Sequence, residues 1–172
     1  MADSNDTKKA LAGALKELAA IVPFHKITIN DICEKCYMSR KSFYYHFKDK
    51  EDLVIWIFET EFVAKARESG ETSMHETVLK LCAYLYENKS FYKKIFKYDG
   101  QNSFSEYFAA ICRPYVANKL SAQGLPAAEV QIGFLTDSAF CALKKWVLSG
   151  CEQPPEEFIG QIHSCAKALF AN

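Results

Sequence analysis

The chain has 172 residues, of which 21 are basic and 21 acidic, so its formal net charge is zero; 49% of residues are hydrophobic and 24% charged. These values describe one globular domain, or one small and one medium unit, and exclude a disordered or acidic solvating chain. The longest apolar run, the six residues Leu53 to Phe58, is too short to cross a bilayer, and zero net charge argues against a bulk-basic nucleic-acid coat.

The start, MADSNDTKK, lacks an apolar signal core, so the chain is expected to stay in the cytoplasm. Apolar spacing of three and four dominates and alternating strand patterns are absent, which predicts an all-α protein of about nine helices. The first runs from about Thr7 to Val22, with Leu11, Leu15, Leu18 and Val22 on one stripe, and Pro23 stops it. Thr28 offers an N-cap to a short second helix with Ile29, Ile32 and Cys33 inward. After a break at Tyr37-Met38, Ser39 caps a third helix, Arg40 to Phe47, and Asp49 caps a long fourth from Lys50 to about Ser69. A capping box, Ser73 to Glu76, opens a helix to about Asn88. Ser90 opens a short aromatic helix that fades at Asp99-Gly100. A second box, Ser103 to Glu106, opens a helix to about Ala122 that Pro114 should kink. Gly124-Leu125-Pro126 breaks the chain, a long helix follows to about Leu148 before Ser149-Gly150, and the last starts at Pro154-Pro155 and ends near Phe170.

Seven cysteines form an odd set without a secretion signal, so no disulfide framework is expected. Cys33 and Cys36 make a lone C-x-x-C with no second ligand pair, and packing on one helical face is the better reading. No metal and no cofactor are expected. The chain has no G-x-S-x-G, no P-loop, no Rossmann glycines and no plausible Cys–His pair, so no catalytic residue is assigned and an enzyme is not expected.

Two short helices after a first helix suggest a helix-turn-helix. Phe43 and Phe47, four apart, point inward together and force Arg40, Lys41, Ser42, Tyr44, Tyr45 and His46 outward. Guanidinium and ammonium suit guanine edges or phosphates, and hydroxyls and phenols suit phosphate oxygens. From Lys35 to Lys50 there are five cations and one acid, a local charge of +4. The bland alternative is a solvated charged face.

The stretches 27–32, 38–47 and 50–53, above all the run from Phe43 to Leu53, resemble the TetR family of bacterial transcriptional regulators. The resemblance implies a helix-turn-helix DNA-binding domain over 1–52 and a helical effector-binding and dimerisation domain over 53–172. By position it implies that Thr28 caps the second helix and touches a phosphate. Ser39 to Ser42 become the leading edge of a recognition helix, with Arg40 and Lys41 reaching bases. Tyr44, Tyr45 and His46 bind the DNA backbone, Lys50 clamps a phosphate, and Phe43, Phe47, Ile32 and Leu53 hold the unit together. One departure stands out: the family usually has glycine where this chain has Tyr37. Either Tyr37 takes a positive φ, at roughly 1 kcal/mol or more of strain, or the turn differs and so does the angle between the helices.

The segments Trp56 to Glu59, Phe91 to Phe96 and Lys145 to Gly150 resemble a Firmicutes-type subgroup that includes dihydroxyacetone-kinase regulators. Some of these act as activators with a partner protein in place of a small molecule. The resemblance implies a homodimer on a palindromic double-stranded operator. Its interface is formed by the last two helices, about 126–148 and 155–170, through Ile132, Phe134, Leu135, Phe140, Leu143, Phe158, Ile159, Ile162 and Leu169; the alternative is that these are internal core. The effector is an unidentified small molecule or protein. Phe58, Phe62, Tyr84, Phe91, Phe104, Phe108, Phe134 and Cys141 are candidates to line an apolar cavity, or else are plain core. Asp137, an acid within an apolar run, would orient a ligand, face the dimer axis or lie on a solvated edge.

Overall fold

The computed structural model describes residues 4–70, 73–98 and 103–170, with side chains described throughout except at 103 and 166–170. Among the described residues there are nine helices and no strand: α1 (Ser4–Ile21), α2 (Ile29–Lys35), α3 (Arg40–His46), α4 (Lys50–Phe58, continued by a π-helical turn, Glu59–Val63, and a last α-helical turn, Ala64–Glu68), α5 (Met74–Glu87), α6 (Lys89–Phe96), α7 (Ser103–Ala122), α8 (Glu129–Ser149) and α9 (Pro155–Phe170). None of them is long and apolar enough to cross a membrane.

Local hydrogen bonds start these helices where the sequence signals them. The side chains of Thr28, Ser39, Asp49 and Ser73 each accept from a backbone N–H three residues on, removing an orphan donor of the first turn. Asp31 completes a capping box by accepting from the Thr28 N–H at 2.8 Å. Gly150, at φ 96, ends α8 in the left-handed region, and the Cys151 N–H reaches back to the Trp146 carbonyl at 2.9 Å. α1 begins three residues before the predicted start, and α6 begins at Lys89 rather than Ser90. Pro114 is exposed within a helix that runs on to Ala122. The expected fade at Asp99-Gly100 and the Ser103 cap lie outside the described residues and side chains.

One core runs the length of the molecule. Leu11 and Leu15 of α1, Ile32 of α2, Phe43 of α3 and Leu53 and Ile57 of α4 are completely buried and bind the first four helices together. Further along α4, Phe58 is ringed by Phe62, Tyr84, Tyr92, Phe104 and Tyr107, with centroids 5.2–6.4 Å apart and mostly edge-on or tilted. α4 therefore belongs to both halves of the molecule.

Candidate nucleic-acid interface and ligand cavity

α3 has a sealed inner face and an open outer one. Phe43 and Phe47 are buried with centroids 5.8 Å apart, and Phe47 packs on Trp56 of α4 at 5.9 Å. Arg40, Lys41, Tyr44 and Tyr45 are exposed, and Ser42 and His46 are half-buried. The Arg40 guanidinium lies over the Tyr44 ring at 5.9 Å and Tyr45 meets His46 edge-on at 4.9 Å, so the outer side chains are partly ordered without being consumed. The Ser39 hydroxyl caps the helix by accepting from the Ser42 N–H at 3.1 Å.

Two side chains expected at phosphates make hydrogen bonds within the chain. The Thr28 hydroxyl donates to the Asp31 carboxylate at 2.7 Å, so its proton is spent within the cap; these bonds hold the Asp31 carboxyl below the usual range. Lys50 differs more. Its ammonium turns inward and donates to the carbonyls of Phe24 and Ile27, each at 2.9 Å, and sits 4.6 Å from the Phe24 ring. Burial lowers its pKa. Lys50 thus staples the loop between α1 and α2 to α4. Sequence position alone gave no sign of this, because both carbonyls are more than twenty residues away.

A cavity of about 240 Å³ opens behind Phe58, between the end of α4, α5, α7, α8 and α9. Of the residues expected to line it, Phe58, Phe62 and Phe108 do. Tyr84, Phe91, Phe104, Phe134 and Cys141 do not. Tyr84 and Phe104 are half-buried and pack on Phe58 at 6.0 and 5.2 Å, Phe91 is buried against Tyr92, and Phe134 and Cys141 are exposed on α8. The rest of the wall comes from apolar stripes that look like ordinary core in sequence: Met74, Val78 and Cys82 on α5, and Ile111, Cys112 and Tyr115 on α7. Three of its polar side chains are already partnered. Thr136 donates to the Ile132 carbonyl at 2.8 Å, Thr77 to Ser73 at 3.0 Å, and Arg67, at the edge, to Glu59 at 2.8 Å. Burial raises the Cys82 thiol to about 12 and the Cys112 thiol to about 11, so both stay neutral.

Residues 11–56 match the family described as bacterial regulatory proteins, tetR family, and residues 72–168 match a transcriptional regulator C-terminal region. The two matches meet the fold at the exposed α3 and at the cavity-bearing helices. The chain belongs to the TetR family of transcriptional regulators. It is similar to the HTH-type dhaKLM operon transcriptional activator DhaS of Lactococcus lactis subsp. lactis, at 34% identity over 103 residues that cover 59% of this chain and 54% of that relative. A solved structure of a dihydroxyacetone kinase operon activator DhaS superposes with a TM-score of 0.65 at 26% identity, covering 95% of each chain. A TetR-family regulator from Syntrophomonas wolfei shares the fold at a TM-score of 0.65 and 17% identity, over 99% of this chain and 100% of that one.

TetR-family regulators bind DNA as dimers, and one face of α8 here is left exposed among the described residues. Val130, Phe134, Asp137 and Cys141, at spacings of four, three and four, are all exposed along it. Of the residues expected at an interface, Phe134, Leu135 and Ile162 are exposed. Leu143 is buried, Phe140 packs on Phe96 and Phe108, Phe158 stacks on Trp146 at 4.7 Å, and Ile132 and Ile159 are half-buried. The Leu169 side chain lies outside those described.

Proposed function

We propose that this regulator binds a palindromic operator as a homodimer and senses an uncharged, apolar molecule in the cavity, without catalysis. In this reading the chain divides at about residue 52, in the first turn of α4. Arg40 and Lys41 read base edges. Ser39, Ser42, Tyr44, Tyr45 and His46 hold the DNA backbone, and Thr28 and Lys50 serve by fixing the scaffold beneath them. The observation that carries DNA reading is the open Arg40–Tyr45 face above the sealed Phe43–Phe47 floor. Operator selection from random duplexes with the purified protein tests it. Arg40→Ala and Lys41→Ala should each weaken binding to the selected site by ~1–3 kcal/mol and relax its sequence preference. Unchanged affinity in both would overturn the assignment.

The ligand class follows from the wall. A cavity of about 150 Å³ lined by aliphatic and aromatic side chains holds benzene, so 240 Å³ suits something larger. A buried carboxylate needs a partner, and Arg67, the one cation at the edge among the described residues, is already paired. Naphthalene should therefore raise the thermal midpoint and 1-naphthoate should not. The reverse order would make Arg67 the anchor of an acid, and no shift with either would return the input to a docking partner protein.

A further inference from the structure

Tyr37 occupies the turn between α2 and α3 at φ 56, in the left-handed region that side chains other than glycine avoid. The turn requires that conformation: the Met38 N–H reaches back to the Cys33 carbonyl at 2.8 Å and the Tyr37 N–H to Glu34 at 3.2 Å, which places Tyr37 where glycine is usually found after a helix. The other described non-glycine residue at positive φ, Cys151 at φ 54, buries its side chain in the core. Packing there offsets the strain. Tyr37 has no such return. It is 98% exposed, and among the described residues its phenol makes no hydrogen bond, ring contact or cation–π contact. The partly buried Met38 supplies the apolar contact that closes the turn. A strained, solvent-facing aromatic thus sits two residues before the Ser39 cap, beside the exposed Arg40 and Lys41.

We propose that Tyr37 is a DNA-backbone contact, its phenol donating a hydrogen bond to a phosphate oxygen beside the groove that α3 enters. This rests on the reading of α3 as the recognition helix. Phosphate contacts position a protein without reading sequence, and a neutral phenol releases no counterion, so its signature differs from that of a lysine.

The test uses the full chain with three substitutions: Tyr37→Gly, Tyr37→Phe and Lys41→Ala. Tyr37→Gly should raise the thermal midpoint, because glycine accepts this φ freely. It should also weaken binding to the selected operator and to an unrelated duplex by the same factor, about five- to tenfold, with an unchanged slope of log K against log salt. Tyr37→Phe should lose most of the same affinity. Lys41→Ala, which removes one cation from each protomer, should instead reduce the salt slope by about two if Lys41 meets a phosphate, or relax base preference if it meets a base. Stabilisation by Tyr37→Gly with unchanged affinity for both duplexes overturns the proposal. So does a loss confined to the operator, or wild-type binding by Tyr37→Phe. If Lys41→Ala also binds as wild type, the recognition-helix reading fails first.

Discussion

Lys50 shows how far a side chain's partners redirect its role. Its position and charge suit a phosphate clamp, yet two backbone carbonyls and the Phe24 ring already surround its ammonium. Lys50→Ala should therefore destabilise the fold by ~1–3 kcal/mol, because it takes the ammonium from the part-buried Ile27 carbonyl and leaves the Phe24 carbonyl with only the Ile27 N–H. The salt dependence of DNA binding should hardly change. Chemical denaturation and binding titrations over a salt series separate the two; a slope reduced by about two, one cation from each protomer, with stability intact, would restore the clamp. Burial sorts the thiols in the same way. A raised pKa means less thiolate at a given pH, and the thiolate is the nucleophile. At pH 8, iodoacetamide should label the exposed Cys165 early and reach the cavity-wall Cys82 and Cys112 far more slowly. Early labelling of Cys82, read by peptide mass spectrometry, would contradict the packed wall.

α4 is the element through which the cavity and the reading head touch. Its π-helical turn carries Glu61, which receives the Lys16 ammonium of α1 at 2.6 and 2.7 Å and the Tyr84 hydroxyl of α5 at 3.0 Å. Tyr84 in turn shares a 2.8 Å hydrogen bond with the fully buried Tyr92 of α6, and both phenols are held protonated, primarily by burial. Phe62, next to Glu61, lines the cavity and stacks on Tyr84 at 5.6 Å. A single side-chain network thus joins α1 to the cavity wall, and π turns recur where a helix does such work. Glu61→Gln keeps the shape and removes the charge. It should raise amide exchange in α1 around Lys16 by about tenfold, the equivalent of ~1.4 kcal/mol. Unchanged exchange there would show that the ion pair does not hold the two parts together.

Taken whole, the molecule reaches neutrality with a split character. Five cations and one acid lie between Lys35 and Lys50 in a chain whose total is zero. With Lys50 turned inward and Lys35 paired to Glu17 at 3.0 Å, Arg40, Lys41 and Lys48 remain exposed on each protomer. With Arg40 and Lys41 on base edges and Lys48 on phosphates, a dimer should show a log K against log salt slope of about −2, which would steepen to about −5 if all three met phosphates. A flat dependence would make the cluster a solvated face. The uncovered α8 stripe predicts a DNA-free particle of twice the 19.5 kDa chain mass, measurable by sedimentation. Phe134→Glu should drive it to monomer and abolish cooperative operator binding, whereas a wild-type monomer at micromolar concentration would remove the interface.

The helix starts and the outward face of α3 could be read directly from the sequence. A cap joins residues three apart, and Phe43 and Phe47 fix which neighbours turn outward; neither depends on the rest of the chain. The φ of Tyr37 was legible only as one of two options, and the structure takes the strained one. The rest needed distant segments brought together. Lys50 meets carbonyls across a loop, and Glu61 meets Lys16 across forty-five positions. The cavity is bounded by five helices whose apolar stripes look alike in sequence. Tyr84 and Phe104 became core and Met74 and Cys112 became wall because a stripe records that a residue is inside, while packing density around it decides whether its neighbour is an atom or a space.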